Sequence, residues 1–109
     1  MAAYFTTTGG SPVTIPRSVR LVTGSTQIEP TDYYIGCNGT GIILTLPPGV
    51  GVVAGKSYII KDESGLAATN HITVNGSGGN LIDGNSSLTI VVNYLSLGLL
   101  WTGSVWSII

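Results

Sequence analysis

Ionisable side chains are scarce in this chain. It has four lysines and arginines, five aspartates and glutamates and one histidine in 109 residues, so charged residues are 8% of the total. An ordinary soluble domain carries about 25%. Four basic side chains cannot neutralise a run of phosphates, which argues against nucleic-acid binding, and they cannot make a polybasic membrane-surface patch. The single cysteine, Cys37, leaves no internal disulfide and fits synthesis in a reducing compartment. No apolar run reaches the roughly 20 residues of a membrane-spanning helix. The best stretches, residues 41–55 and 95–106, are broken by Pro47, Pro48 and glycines or are too short. The opening MAAYFTTTGGSP has neither a basic n-region nor an apolar h-region, so no secretory signal is expected. No window sustains the i, i+3, i+4, i+7 apolar pattern of a helix.

What remains is apolar and β-prone. Hydrophobic residues make up 43% of the chain, and its length suits one small domain. With so little charge, such a chain must expose much apolar surface or bury it against copies of itself or a partner. Sixteen glycines and five prolines divide it into short runs rich in Val, Ile, Leu, Thr and Tyr. Period-2 alternation predicts strands over residues 19–23, 32–37, 42–46, 57–62, 71–75, 87–92, 95–101 and 105–109. Ile42, Leu44 and Leu46 share a face, as do Tyr58 and Ile60, Ile72 and Val74, and Leu95, Leu97, Leu99 and Trp101. Trp106 opposes Val105 and Ile109 and is expected to be exposed or interfacial. Asn38-Gly39, Asn75-Gly76, Asp83-Gly84 and Thr102-Gly103 read as hairpin turns that need positive φ. The expected fold is all-β: a small antiparallel β-sandwich or jelly-roll-like barrel formed by residues 19–109 as a single domain. No tandem repeat of 20–50 residues is present. Residues 1–18, with Tyr4 and Phe5 ahead of a polar Gly-Gly-Ser-Pro tract, read either as a frayed terminus or as an extended N-terminal arm that reaches a neighbouring subunit.

Candidates for chemistry are few. KSYIIKDESG, residues 56–65, holds Lys56, Lys61, Asp62 and Glu63, nearly half of all the formal charges. Adjacent carboxylates on a strand point to opposite sides, so Asp62 and Glu63 do not form a glycosidase pair. The segment reads as a solvated strand end, with Asp62 or Ser64 bonding local amides and Gly65 left-handed. His71 and Cys37 lack the context of a catalytic pair: no G-x-S-x-G elbow or cysteine-protease signature is present. One histidine and one cysteine are too few zinc ligands within a chain, leaving only three copies of His71 meeting on a symmetry axis. Asp32, Asn75, Asp83 and Asn85 lack the alternate acidic spacing of a calcium loop. Gly76, Gly78 and Gly79 precede no helix that could receive a phosphate. The two tryptophans and five tyrosines leave a sugar-stacking platform open, although Trp101 aligns with an apolar strand face. No cofactor, no metal and no enzymatic activity are expected.

Several motifs appear in order: D-Y-x-I-G in DYYIG, T-L-P, Y-I-I-K-D-E-S-G, N-x-I-T-V in NHITV, I-D-G, N-Y and a terminal W-x-I-I. Through them, residues 32–109 resemble a β module of tailed-bacteriophage structural proteins, found in tail-fibre-type proteins and in small stand-alone virion proteins. K-D-E-S-G is the most specific landmark. Residues 1–31 lie outside the resemblance, and Leu95–Leu100 is more apolar than an exposed module would be. The resemblance implies a non-enzymatic, oligomeric virion component made in the host bacterial cytoplasm. The favoured form is a decoration or cement protein on the capsid exterior, binding the major capsid protein between capsomers as a homotrimer. The alternative is a tail-fibre or tail-associated module that binds a host receptor or carbohydrate. On the first reading, capsid contacts are expected at Tyr4, Phe5, Arg17 and Arg20. Oligomer contacts are expected at Leu95, Leu97, Leu99, Leu100, Trp106 and Ile108.

Overall fold

A computed structural model describes residues 16–109. Nine strands run β1 (Val19–Val22), β2 (Thr26–Gln27), β3 (Tyr34–Cys37), β4 (Ile43–Thr45), β5 (Ser57–Asp62), β6 (Ile72–Asn75), β7 (Ser87–Ile90), β8 (Ser96–Trp101) and β9 (Trp106–Ile108). The one helical element described is a single 3-10 turn at Gly49–Gly51. Sheet A has the order β1-β3-β5-β8-β9 and sheet B the order β2-β4-β6-β7.

The chain is all-β, but its pairing corrects the antiparallel expectation. Strands β1, β3 and β5 are parallel in sheet A, and β2, β4 and β6 are parallel in sheet B. From β1 to β6 the chain alternates between sheets, so each strand lies beside the one two places earlier. It winds as short coils rather than folding as hairpins. Antiparallel pairing appears only where the winding ends, in β6–β7, β5–β8 and β8–β9.

Two of the four supposed hairpin glycines serve this winding. A Cβ on Gly39 would lie 2.3 Å from the Thr23 carbonyl oxygen, and one on Gly76 would lie 2.2 Å from the Asn80 carbonyl oxygen. Neither has positive φ; both are small so that backbone can pass close by. Asp83-Gly84, with φ of 45° and 83°, and Gly103, with φ of 104°, are left-handed turns as expected.

Both sheets contribute to one core. Ile35, Tyr58, Ile60, Leu99, Trp101 and Trp106 come from sheet A, and Leu44, Ile72, Val74 and Ile90 from sheet B. Burying a side chain of this size removes about 1.5–3 kcal/mol of exposure cost each. Trp106 is fully buried and packs between Tyr58, at a centroid distance of 5.5 Å, and Trp101, at 5.1 Å. That corrects the expectation of an exposed Trp106. Val105 and Ile109, which flank β9, are exposed, as is Ile108.

Candidate partner-binding surface

Strand β5 presents Tyr58, Ile60 and Asp62 to the interior and Ser57, Ile59 and Lys61 outward. Asp62 therefore ends the buried row, with no exposed surface, rather than being solvated. Its Oδ1 accepts the Ser64 hydroxyl at 2.6 Å and the Ser64 and Gly65 amides at 3.0 and 3.2 Å. Its Oδ2 accepts the Ala67 and Tyr94 amides, each at 3.0 Å. Burial by itself pushes the Asp62 carboxyl up. The hydrogen bonds from Ser64, Tyr94 and Ala67 outweigh it and hold the pKa at about 2. The local turn is as expected, with Gly65 at φ 73°.

The other charges of this segment are also tied to the fold. Lys61 Nζ donates to the Tyr94 carbonyl at 2.6 Å and sits 5.5 Å from its ring centroid. The Tyr34 hydroxyl donates to Glu63. Lys56 donates to the Asp32 carbonyl and lies 4.9 Å from the Tyr58 ring centroid. Two of the four charges, Asp62 and Lys61, together hold Tyr94.

Tyr94 has φ 62°, one of two described non-glycine residues with positive φ. Such a conformation costs of order 1 kcal/mol or more and persists where its surroundings over-determine it. Here the amide is held by Asp62 and the carbonyl by Lys61. The ring lies so close to Gly65 that a Cβ there would meet it at 2.3 Å. Tyr94 nonetheless remains 61% exposed. The loops that meet over Asp62 are further tied by the Ala68 amide, which donates to Asn93 Oδ1 at 2.9 Å. They also expose Leu66, Val91, Val92 and Leu95. The result is an exposed apolar patch with an aromatic held at both its backbone amide and carbonyl.

A second feature lies on the outer face of sheet A. A cleft of about 380 Å³ is lined by Tyr33, Ser57, Ile59, Ser96, Gly98 and Ile109, among others. Arg17 stacks over Tyr33 at 4.5 Å.

The expected contact residues scatter. Tyr4 and Phe5 lie outside the described residues. Arg20 points inward, pairing with Asp32 at 2.8 Å and donating to the Gln27 carbonyl at 2.7 Å. Leu99 and Trp106 are core residues with no surface to offer a partner, whereas Leu95 and Ile108 are exposed and Leu97 and Leu100 half-buried. Cys37 is buried, and desolvation followed by the nearby Asp62 charge pushes its thiol up to about 11. His71 is exposed. Among the described residues, no three His, Cys, Asp or Glu side chains gather as metal ligands, and no helix is long and apolar enough to cross a membrane. No protein-family model matches the chain, and no curated protein matches it.

The Tyr94 surface had a partial sequence signal. Strand alternation already puts Asp62 on the face of Tyr58 and Ile60, and an aspartate there needs donors. Nothing in the sequence reveals that Tyr94, 32 residues away, supplies one.

Proposed function

We propose that this chain is a non-enzymatic structural protein of a tailed-phage virion, acting as a decoration protein on the capsid exterior and working as a homo-oligomer. The resemblance of residues 32–109 supports the virion setting. The observation that carries a docking role is the exposed Tyr94, held in a strained conformation by Asp62 and Lys61 and flanked by Leu66, Val91, Val92 and Leu95. In this reading, the Tyr94 surface meets the major capsid protein where capsomers adjoin.

The mechanism needs no covalent step. A protein that binds the assembled shell better than separated subunits shifts the equilibrium toward the shell. An oligomer engaging several sites multiplies that effect through effective concentration. Prepaid rigidity at Tyr94 lowers the ordering cost of binding.

The cleft beside Tyr33, with the Ser57 and Ser96 hydroxyls, favours a second reading: a tail-associated module whose cleft takes a host carbohydrate. Electron cryomicroscopy of the virion that carries this protein separates the two. Density over the capsid between capsomers is expected; density confined to the tail would replace the first reading with the second.

A further inference from the structure

Sheet A treats its two edges differently. The outer side of β9 is taken up by the chain itself. The Trp106 amide donates to the Leu81 carbonyl at 2.9 Å, and the Asp83 amide donates to the Trp106 carbonyl at 3.0 Å. The Ile108 amide donates to Asp83 Oδ1 at 3.2 Å.

At the other edge, β1 has no such cover among the described residues. Its ladder to β3 includes the Ser18 carbonyl, which accepts the Tyr34 amide at 3.0 Å, and the Val22 carbonyl, which accepts the Asn38 amide at 2.8 Å. Backbone groups alternate sides along a strand. Ser18, Arg20 and Val22 therefore face β3, and Val19 and Leu21 turn their N–H and C=O groups to the edge that no described residue covers. These residues are 68% and 67% exposed.

Natural edges are usually blunted by lysine, proline, a bulge or shortness. Strand β1 has none of the first three. One edge of sheet B, by contrast, is the two-residue β2, where Gln27 Nε2 folds back onto the Ile28 and Thr45 carbonyls at 3.0 and 3.1 Å; its other edge is β7.

We propose that β1 is a strand-pairing edge through which two copies of this chain join, antiparallel, into one continuous sheet. Charge favours a copy as the occupant. The only charged side chain of β1, Arg20, is 37% exposed and paired with Asp32 at 2.8 Å, so identical edges approach with each arginine already neutralised within its own chain. A two-fold axis beside Arg20 sets Val19 opposite Leu21 of the second copy and Leu21 opposite its Val19. Both pairs exchange two hydrogen bonds, and every outward backbone group of Val19 and Leu21 is satisfied. The four exposed aliphatic side chains then meet on one face. This isologous contact is self-complementary. It is two-fold, unlike the trimer implied by the resemblance, and does not depend on where in a virion the protein sits.

The test uses the full chain. Sedimentation velocity across a concentration series should show a monomer–dimer equilibrium. Hydrogen exchange at the Val19 and Leu21 amides should slow as the dimer fraction rises. Leu21→Pro removes an amide that faces only the open edge, so it should leave the circular dichroism unchanged and abolish the dimer. Leu21→Lys, which keeps the backbone intact, should weaken dimerisation tenfold or more and decides the matter if the proline variant misfolds. A monomer at every concentration overturns the proposal. So does an oligomer whose Val19 and Leu21 exchange is independent of concentration, or one that Leu21→Lys leaves unchanged.

Discussion

The Tyr94 amide donates to Asp62 Oδ2 at 3.0 Å across 32 residues of sequence, and this bond joins the end of β5 to the exposed 91–95 turn. Asp62 is the acceptor for five donors, so Asp62→Ala should leave several buried amides unpaired. The expected loss is on the order of 3 kcal/mol, read as a lower denaturant midpoint with an unchanged slope.

The same carboxylate sets an acid limit. Its pKa is lowered from 3.8 to about 2 on folding. A depressed folded-state value stabilises the fold fully above the unfolded value, and that stabilisation disappears as pH falls through the folded one. Stability should therefore decline between about pH 4 and pH 2, by on the order of 2 kcal/mol from this residue. Asp62→Asn should flatten that part of the stability–pH curve.

Two tyrosines should titrate late. Burial, then the Glu63 hydrogen bond and charge, push Tyr34 to about 12. Burial, then the Asp32 and Glu29 charges, push Tyr58 to about 12. Raised folded values make stability complete below pH 10 and progressively lost as pH rises toward 12. Absorbance at alkaline pH should show a late tyrosinate component coincident with unfolding, and Tyr34→Phe should diminish it.

Cys37 should be inert in the native protein. It is buried, and its thiol is raised to about 11, so little thiolate is present at neutral pH. A thiol-reactive chromophore should label it slowly under native conditions and fully in denaturant.

Much of the in–out pattern was legible, because each strand buries one face. Ile42, Leu44 and Leu46, Tyr58 and Ile60, and Ile72 and Val74 all point inward as alternation predicts. Which strands lie side by side was not legible. Val19 pairs with Tyr34 and Tyr34 with Ile59, so successive coils differ in length and leave no fixed period to detect. Alternation also cannot say which face of a two-sided strand is buried. At β1 the aliphatic pair Val19 and Leu21 faces out and Arg20 faces in, because Asp32 waits there. At β9 the same ambiguity hid Trp106, whose place is set by its register opposite Trp101. The Tyr94 surface was unreadable because its brace is a contact distant in sequence.

The most direct test of the docking account is co-sedimentation of purified protein with phage heads lacking it, comparing the natural chain with Tyr94→Asp. The natural chain should saturate the heads at a fixed stoichiometry. Tyr94→Asp, folded normally, should lose at least tenfold in affinity. Heads that bind neither protein, or bind both equally, would contradict it.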